Sequence, residues 1–190
     1  MGVHMTQPLR IVTVDRDRER YRDLLLLADE QWDMVELYLN RGEMFAAYAW
    51  VDSVGVSSVA SGFAFASAAD PALSVCPEAA LGCMIVTDEG VDGRGRRIAE
   101  VKNLAIAPEF QRRGVGRVLL DFAAARYAPT RDALQVGTGD SPLTVPFYEA
   151  CVFVRSGVLP NFFIDNYDHP IIEAGVQLRD MVCLRRELGT

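Results

Sequence analysis

Apolar residues fall along the chain in short bursts whose spacing switches between two periods. Residues 9–14 are a β-branched run and predict a first strand. Asp15 offers a helix cap, and residues 16–28 carry charged positions first and Leu24 to Leu27 after them, which predicts a helix. A second helix is expected over about residues 30–41, with Val35, Tyr38 and Leu39 at helical spacing and Gly42 where a helix stops. Residues 44–51 read as strand. Residues 52–77, rich in Ser, Ala and Gly and punctuated by Pro71 and Pro77, read as part strand and part inserted loop. Strands over 82–87 and 98–106 flank the polar, glycine-dense stretch 88–95 and are expected to pair as a hairpin. Pro108 ends the second of them. From 114 to 127, Val115, Val118, Leu119, Phe122 and Ala123 recur at helical spacing. A strand over 134–138, a short helix over 142–150 and strands over 153–159 and 176–186 complete the pattern, with an aromatic, acidic loop over 161–175. The order β-α-α-β-β-β-α-β-α-β-β implies an α/β (α+β) layered fold.

Length and composition narrow the class. With 190 residues, half of them apolar, the chain suits one domain, which buries roughly 70% of its unfolded surface. That domain is expected to span 6–190. Met1-Gly2-Val3-His4-Met5 reads as an expression remnant. A net charge of −7 disfavours nucleic acid as a partner and favours a cationic one. The cysteines, Cys76, Cys83, Cys151 and Cys183, form no Cys-x-x-Cys pair, and the histidines are His4 and His169. No metal site is therefore expected. Most of these cysteines sit in apolar runs and read as reduced core residues. Neither a membrane-length apolar run nor a leader stands out, so a cytoplasmic protein is expected.

The chemistry concentrates after the strand over 98–106. Gln111-Arg112-Arg113-Gly114-Val115-Gly116 joins that strand to a helix. Successive backbone N–H groups at a helix N-terminus make an anion site, which the helix dipole reinforces. Gly114 and Gly116 lack Cβ atoms, so a phosphate can approach the main chain, and Arg112, Arg113 and Arg117 add positive charge. The dinucleotide fingerprint fails because Leu119 holds its third glycine position, and no Gly-Lys-Ser/Thr of a Walker loop follows. A phosphate cradle and an ordinary glycine-bearing turn both remain open on this loop alone.

The longer segment Glu100-Val101-Lys102-Asn103-Leu104-Ala105-Ile106-Ala107-Pro108-Glu109-Phe110-Gln111-Arg112-Arg113-Gly114-Val115-Gly116 closely resembles the signature of the GNAT superfamily of N-acetyltransferases. Pro146-Phe147-Tyr148-Glu149 resembles that family's FYxxxGF segment. The tail, from Asp165-Asn166-Tyr167 to Asp180-Met181-Val182, resembles a bacterial subgroup of uncharacterised members. The resemblance covers roughly residues 43–187. It implies a central twisted mixed sheet with splayed fourth and fifth strands, here 98–106 and 134–138, and helices on both faces. It implies acetyl-CoA as cosubstrate and no metal. The main chain of Leu104, Ala105 and Ile106 would pair with the pantetheine arm, and Gln111, Arg112, Arg113, Gly114, Val115, Gly116 and Arg117 would hold the pyrophosphate. Ser141 stands where many members carry Asn beside the cofactor arm.

The resemblance also implies a reaction, in which a primary amine attacks the thioester directly in a ternary complex. Tyr148 matches the family's general acid, and Glu100 lies where relatives place a base; each has a bland alternative, a packing tyrosine and a strand glutamate paired with Arg97. Asn103 could order a water or polarise the carbonyl. Asp165, Asn166 and Tyr167, with Asp168 and His169, form a polar cluster that either binds the acceptor or caps a turn. Phe162, Phe163 and Trp32 either shape an acceptor pocket or fill core. The acceptor could be a small molecule or a protein amine, and the protein a monomer or homodimer. A non-catalytic acyl-CoA sensor would keep the glycine loop without needing Tyr148 or Glu100. One departure stands out: Val152 replaces the family's glycine, so the following turn is expected to do without a positive-φ glycine.

Overall fold

A computed structural model describes residues 9–49 and 80–189. The remnant expected at 1–5, the mixed segment expected over 52–77, the end of the strand expected over 44–51, and Cys76 lie outside the described residues. In chain order the strands are β1 (Leu9–Thr13), β2 (Glu43–Ala49), β3 (Gly82–Val91), β4 (Arg97–Ile106), β5 (Ala133–Gly139), β6 (Val154–Leu159), β7 (Ile172–Glu173), β8 (Val176–Gln177) and β9 (Met181–Glu187). The helices are α1 (Arg22–Leu25), α2 (Trp32–Leu39), α3 (Val115–Tyr127), α4 (Thr144–Ala150) and α5 (Phe162–Asn166).

Seven strands form a mixed sheet in the order β1-β2-β3-β4-β5-β9-β6, and β7 pairs with β8 in a separate hairpin. Among the described residues only β4 and β5 run parallel. Side chains alternate across the sheet. Phe45, Met84, Val86, Val101, Leu134 and Leu184 point to one face and pack with Leu119, Leu120 and Ala123 of α3 and Tyr148 of α4. Met44, Ala46, Cys83 and Ile85 point to the other and pack with Leu25, Val35 and Leu39 of the first two helices. The sheet is thus covered by helices on both faces, as expected.

Two features of β4 position the site. Val101 opposes Val86 while Asn103 opposes Ile85, so Lys102 is an extra, bulged residue. A bulge re-aims the side chains that follow it. Ala99 and Val101 face α3; past Lys102, it is Leu104 and Ile106 that do, while Ala105 joins the core beneath the first two helices. The second feature is the splay. Ile98–Val101 pair with Ala133–Val136, and the pairing of β4 with β5 goes no further.

Several expectations shift in detail. The helix expected over 16–28 is a 3-10 turn (Arg18–Tyr21) followed by the four-residue α1. Asp17 adopts φ 54°, and Arg18 turns inward to donate to the carbonyls of Val14, Leu39 and Gly42. Tertiary hydrogen bonds therefore override the local helical pattern there. The hairpin turn lies later than expected because β3 runs on to Val91; the Asp92 carboxylate then accepts from the N–H groups of Arg94 and Arg96. The strand expected over 176–186 is broken into β8 and β9, since Leu178 turns to pack against Gly139, where a Cβ would collide with it. The loop expected over 161–175 holds α5 and β7.

Strand β6 closes one edge of the sheet, and all six of its residues are exposed. Its register with β9 slips between Arg155 and Gly157, and Ser156 Oγ donates to the Cys183 carbonyl at the slip (3.1 Å).

Candidate functional site

The glycine loop meets the requirements of a phosphate cradle. β4 ends at Ile106, a 3-10 turn (Pro108–Phe110) follows, and Arg112 (φ 59°) and Gly114 (φ 90°) swing the chain into α3. Gly114 is the N-cap, and no side chain caps the helix. The first-turn amides of Val115, Gly116 and Arg117 have no intrahelical acceptor by geometry, so they are free to bind an anion. The two glycines serve different ends. A Cβ on Gly114 would meet nothing within 4 Å, so its need is conformational and its outer side is open. A Cβ on Gly116 would lie 3.0 Å from Phe147 and 3.7 Å from Ile106, so its need is close packing of α3 on the sheet. Arg112, Arg113 and Arg117 are exposed at the rim, with the Arg113 guanidinium 5.6 Å from the centre of the Phe110 ring. Gln111 Nε2 donates to the Ile106 carbonyl (3.1 Å). Leu104, Ala105 and Ile106 occupy the stretch of β4 that β5 leaves unpaired, an open edge an extended ligand can join as a strand would. Loop and edge together could hold an extended, phosphate-bearing ligand, with phosphate on the amides and a chain along β4.

Tyr148 lies on α4 and is buried, between Phe147 (centroids 5.1 Å) and Phe153 (5.7 Å). Its hydroxyl makes no hydrogen bond among the described residues. Burial pushes the phenol up from its ordinary pKa, so it stays protonated. Ser141 is buried, and its Oγ accepts from the Leu143 N–H (3.0 Å), which anchors the start of α4.

The turn after α4 is built without a glycine, as expected. Val152 itself adopts φ 69°. The Val152 N–H bonds to the Glu149 carbonyl (3.0 Å) and the Phe153 N–H to the Tyr148 carbonyl (3.1 Å). These two bonds, with the Phe153 ring against Tyr148, make a Schellman cap in which valine holds the left-handed position usually given to glycine. The turn is kept and the residue is strained.

Glu100 is nearly buried and fully engaged. Its Oε1 accepts from Lys102 Nζ (2.8 Å) and its Oε2 from Gln135 Nε2 (2.8 Å). Lys102 also reaches Glu89 (3.5 Å). Gln135 Oε1 accepts from Arg185 Nε (2.7 Å), whose guanidinium continues to Asp92 (2.7 Å). Glu100 is one member of a charged network spread over β3, β4, β5 and β9.

The bulge brings Asn103 into a different and unforeseen chain of bonds. Asn103 is 2% exposed. Its Nδ2 donates to the Leu25 carbonyl and to the Tyr38 hydroxyl, both at 3.1 Å. The Tyr38 hydroxyl donates to Asp29 Oδ2 (2.9 Å), and the Tyr167 hydroxyl donates to Asp29 Oδ1 (3.0 Å). Asn103 Oδ1 is buried with no hydrogen-bond partner among the described residues. Burial pushes the Asp29 carboxyl up, against the pull of the two phenols, and raises both phenols as well. Asn103 and Tyr167 were expected near the acceptor; Asp29 and Tyr38 were not. Tyr38 carried only the signal of an apolar helix position, and Asp29 only that of an acid between two expected helices.

Among the described residues the remaining acceptor candidates make no hydrogen bond to that chain. Asp165 is exposed on α5, and Asn166 Nδ2 donates to the Phe162 carbonyl one turn back (2.7 Å). His169 Nδ1 lies 2.5 Å from Asp168 Oδ1, and its Nε2 3.7 Å from Glu30. Phe163 stacks on Tyr167 (5.5 Å), and the Trp32 ring lies under the Arg22 guanidinium (4.2 Å). Among the described residues Cys83, Cys151 and Cys183 are free thiols, and no group of three His, Cys, Asp or Glu could hold a metal. No described helix is long and apolar enough to cross a membrane.

Comparison with known proteins gives a consistent set of likenesses. Residues 69–155 match the family described as "Acetyltransferase (GNAT) domain". Over 184 residues, 96% of this chain and 98% of the relative, the chain is 30% identical to an uncharacterised N-acetyltransferase, YvbK, of Bacillus subtilis (strain 168). A GNAT family acetyltransferase from Elizabethkingia anophelis, solved with acetyl-CoA bound, superposes with TM-score 0.73 at 26% identity, covering 96% of this chain and 99% of its own. A Bacillus subtilis acetyltransferase solved in complex with CoA superposes with TM-score 0.68 at 28% identity, covering 94% of this chain and 98% of its own.

Proposed function

The chain belongs to the GNAT family of acetyltransferases, and from that premise we propose that it transfers the acetyl group of acetyl-CoA to a primary amine by direct attack in a ternary complex. The amine lone pair forms the new C–N bond while the C–S bond breaks and its electron pair leaves on sulfur. The attacking nitrogen sheds a proton to solvent. The departing thiolate meets the hydroxyl of Tyr148, which gives it a hydrogen bond or its proton and is reprotonated from solvent.

The observation that carries this reading is the state of Tyr148. It is a buried, protonated phenol with no hydrogen-bond partner among the described residues. A free phenol titrates near ~10 and a thiol near ~8.5, so a neutral tyrosine is available to the leaving sulfur across the physiological range. Gln111, Arg112, Arg113, Gly114, Val115, Gly116 and Arg117 would hold the pyrophosphate, Leu104, Ala105 and Ile106 the pantetheine, and Ser141, whose hydroxyl proton is still available, would flank the arm. Tyr167, bonded to Asp29, would line the acceptor side, with Asn103 behind it holding Tyr38 in place. Glu100 has both oxygens committed to Lys102 and Gln135, so we assign it to holding the bulge and leave deprotonation to water.

Release of free CoA thiol over a panel of primary amines tests this reading. Tyr148→Phe should lower kcat by about a hundredfold, the lower end of what proton transfer contributes, with the acetyl-CoA Kd unchanged. Because burial raises the phenol, the wild-type kcat should hold through about pH 10 and fall only above it. Glu100→Gln should cost less than about fivefold, below the contribution of a general base. Full activity of Tyr148→Phe would remove the acid, and a Glu100→Gln loss matching that of Tyr148→Phe would restore Glu100 as base. Binding of acetyl-CoA without thiol release from any amine would leave a non-catalytic acyl-CoA sensor.

A further inference from the structure

Strand β7 carries a carboxylate to the side of α4 that holds Tyr148. Thr144 and Tyr148 are one helical turn apart, so their side chains lie on one face of α4. Glu173 Oε2 accepts from Thr144 Oγ1 (3.3 Å), which brings the carboxylate to that face. Its charge is felt at the phenol: burial first, then the Cys151 sulfur and the Glu173 carboxylate, push Tyr148 up.

The β7–β8 hairpin holds Glu173 there. Ala174 (φ 51°) and Gly175 (φ 77°) form its two-residue turn, and Glu173 pairs with Val176. At the hairpin's base the Leu178 N–H bonds to the Ile171 carbonyl (2.9 Å), and both side chains are buried with Phe163. Leu178 sits on Gly139 and Met181 on Gly137, where a Cβ would collide with either. Both glycines lie beyond Val136, the last residue of β5 that pairs with β4. Glu173, Thr144 and Tyr148 are thus gathered beside the diverged end of β5.

Glu173 is also available. It is half-buried, no lysine or arginine pairs with it among the described residues, and Oε1 accepts no hydrogen bond there. Glu100, by contrast, has both oxygens committed. A phenol kept neutral and a carboxylate with a vacant oxygen, meeting on one helix face, are the donor and acceptor that a coupled pair of proton transfers needs.

We propose that Glu173 is a catalytic residue of acetyl transfer: its carboxylate accepts a hydrogen bond from the attacking amine and takes the proton that the nitrogen gives up as the C–N bond forms. The inference rests on the acetyl-transfer reading and adds the route by which that proton reaches solvent. The neutral amine attacks the acetyl carbon, its N–H proton moves to Glu173, and the C–S electron pair leaves on sulfur, which takes the proton of Tyr148. Glu173 then passes its proton to the water it is partly open to, and Tyr148 is reprotonated from solvent. Charge couples the two groups. While Glu173 is ionised, its field helps to keep Tyr148 protonated; once the amine's proton neutralises it, that hold is released and the phenol donates more readily.

Thiol release from acetyl-CoA with n-butylamine, benzylamine and glycinamide as acceptors tests the assignment. Glu173→Gln, isosteric and uncharged, should lower kcat by about a hundredfold, with the acetyl-CoA Kd and the melting temperature unchanged. Glu173→Asp, which keeps a carboxylate, should retain more activity than Glu173→Gln. Added formate should raise the kcat of Glu173→Ala, a rescue that a structural role would not permit. Combining Glu173→Gln with Tyr148→Phe should lose less than the product of the two single losses, because the groups act in one step. A Glu173→Gln kcat within about twofold of the wild type overturns the assignment, since a proton-transfer residue contributes far more. So does a loss that comes with a lower melting temperature and is not relieved by formate. Wild-type protein that binds acetyl-CoA but releases no thiol with any of these amines overturns the transfer reading. In that event, stabilisation of the CoA-loaded wild type by n-butylamine that is lost in Glu173→Gln leaves the contact between carboxylate and amine standing, and its absence overturns that contact as well.

Discussion

The two halves of β4 share a strand and do opposite work. From Ile98 to Val101 the strand is hydrogen-bonded on both edges, to β3 and to β5, and its neighbours Leu134, Val136 and Leu184 are dry core. From Asn103 to Ile106 it keeps β3 but has lost β5, and along this free edge we place the cosubstrate. One inserted residue, Lys102, separates the regimes. It resets which face each later side chain occupies, so a polar asparagine lands under the first two helices while Leu104 and Ile106 stay with the core under α3. Scaffold and site are therefore assigned along one strand by register, with no change of element.

Three substitutions test that division, in order of effect. Leu134→Ala, in the paired half's core at 0% exposure, should cost about 2–5 kcal/mol of stability, read by denaturant titration, and leave acetyl-CoA affinity intact in the folded fraction. If cofactor affinity fell with it, the halves would be one unit. Gly114→Asp should do the converse. Aspartate tolerates positive φ and meets open space here, so the unliganded protein should melt nearly as the wild type does. Its charge faces the phosphates, so the stabilisation by saturating acetyl-CoA, about 2.7 kcal/mol at a hundredfold excess over Kd, should vanish. Retained stabilisation would show that the pyrophosphate lies elsewhere. Smallest is Val152→Gly at the α4 cap. The left-handed conformation costs valine about 1–2 kcal/mol, partly offset by the flexibility of glycine, for a net gain near ~1 kcal/mol. For a chain of this size that raises Tm by about 2–4 °C, measurable by scanning calorimetry. A lower Tm would mean that the exposed valine makes contacts worth more than its strain.

Much of this architecture was legible in the chain. The strand ending at Ile106, the proline, the paired glycines and the following helix are read from local chemistry, because a tight turn feeding a helix N-terminus depends on the few residues that build it. Tyr148 was singled out by its place in a recognisable segment, and the structure shows it buried on α4. The Asp29 cluster was not, because its bonds join residues far apart in sequence, such as Asp29 with Tyr167, and depend on a parity change at Lys102 that no hydrophobic period reveals. The helix expected over 16–28 was overcalled for a related reason: Arg18 bonds to the carbonyls of Leu39 and Gly42, partners that local propensity does not include. Val152 was legible as a departure, and its outcome is physical. Two backbone bonds and an aromatic contact hold the turn firmly enough to keep a β-branched residue in a conformation it disfavours.

The register slip in β6 bears on how the molecule behaves in a crowded solution. A six-residue exposed strand at the end of a sheet, carrying Val154, Val158 and Leu159 outward, offers a template on which a neighbouring chain could lay down a further strand and begin to aggregate. The slip at Arg155 to Gly157 interrupts the regular row of backbone donors and acceptors, and Arg155 adds a charge that Asp140 and Glu149 hold beside it. An incoming strand can follow β6 for only two or three residues before the spacing fails. Among the described residues no helix covers this edge, and the slip makes it a poor seed for cross-β growth.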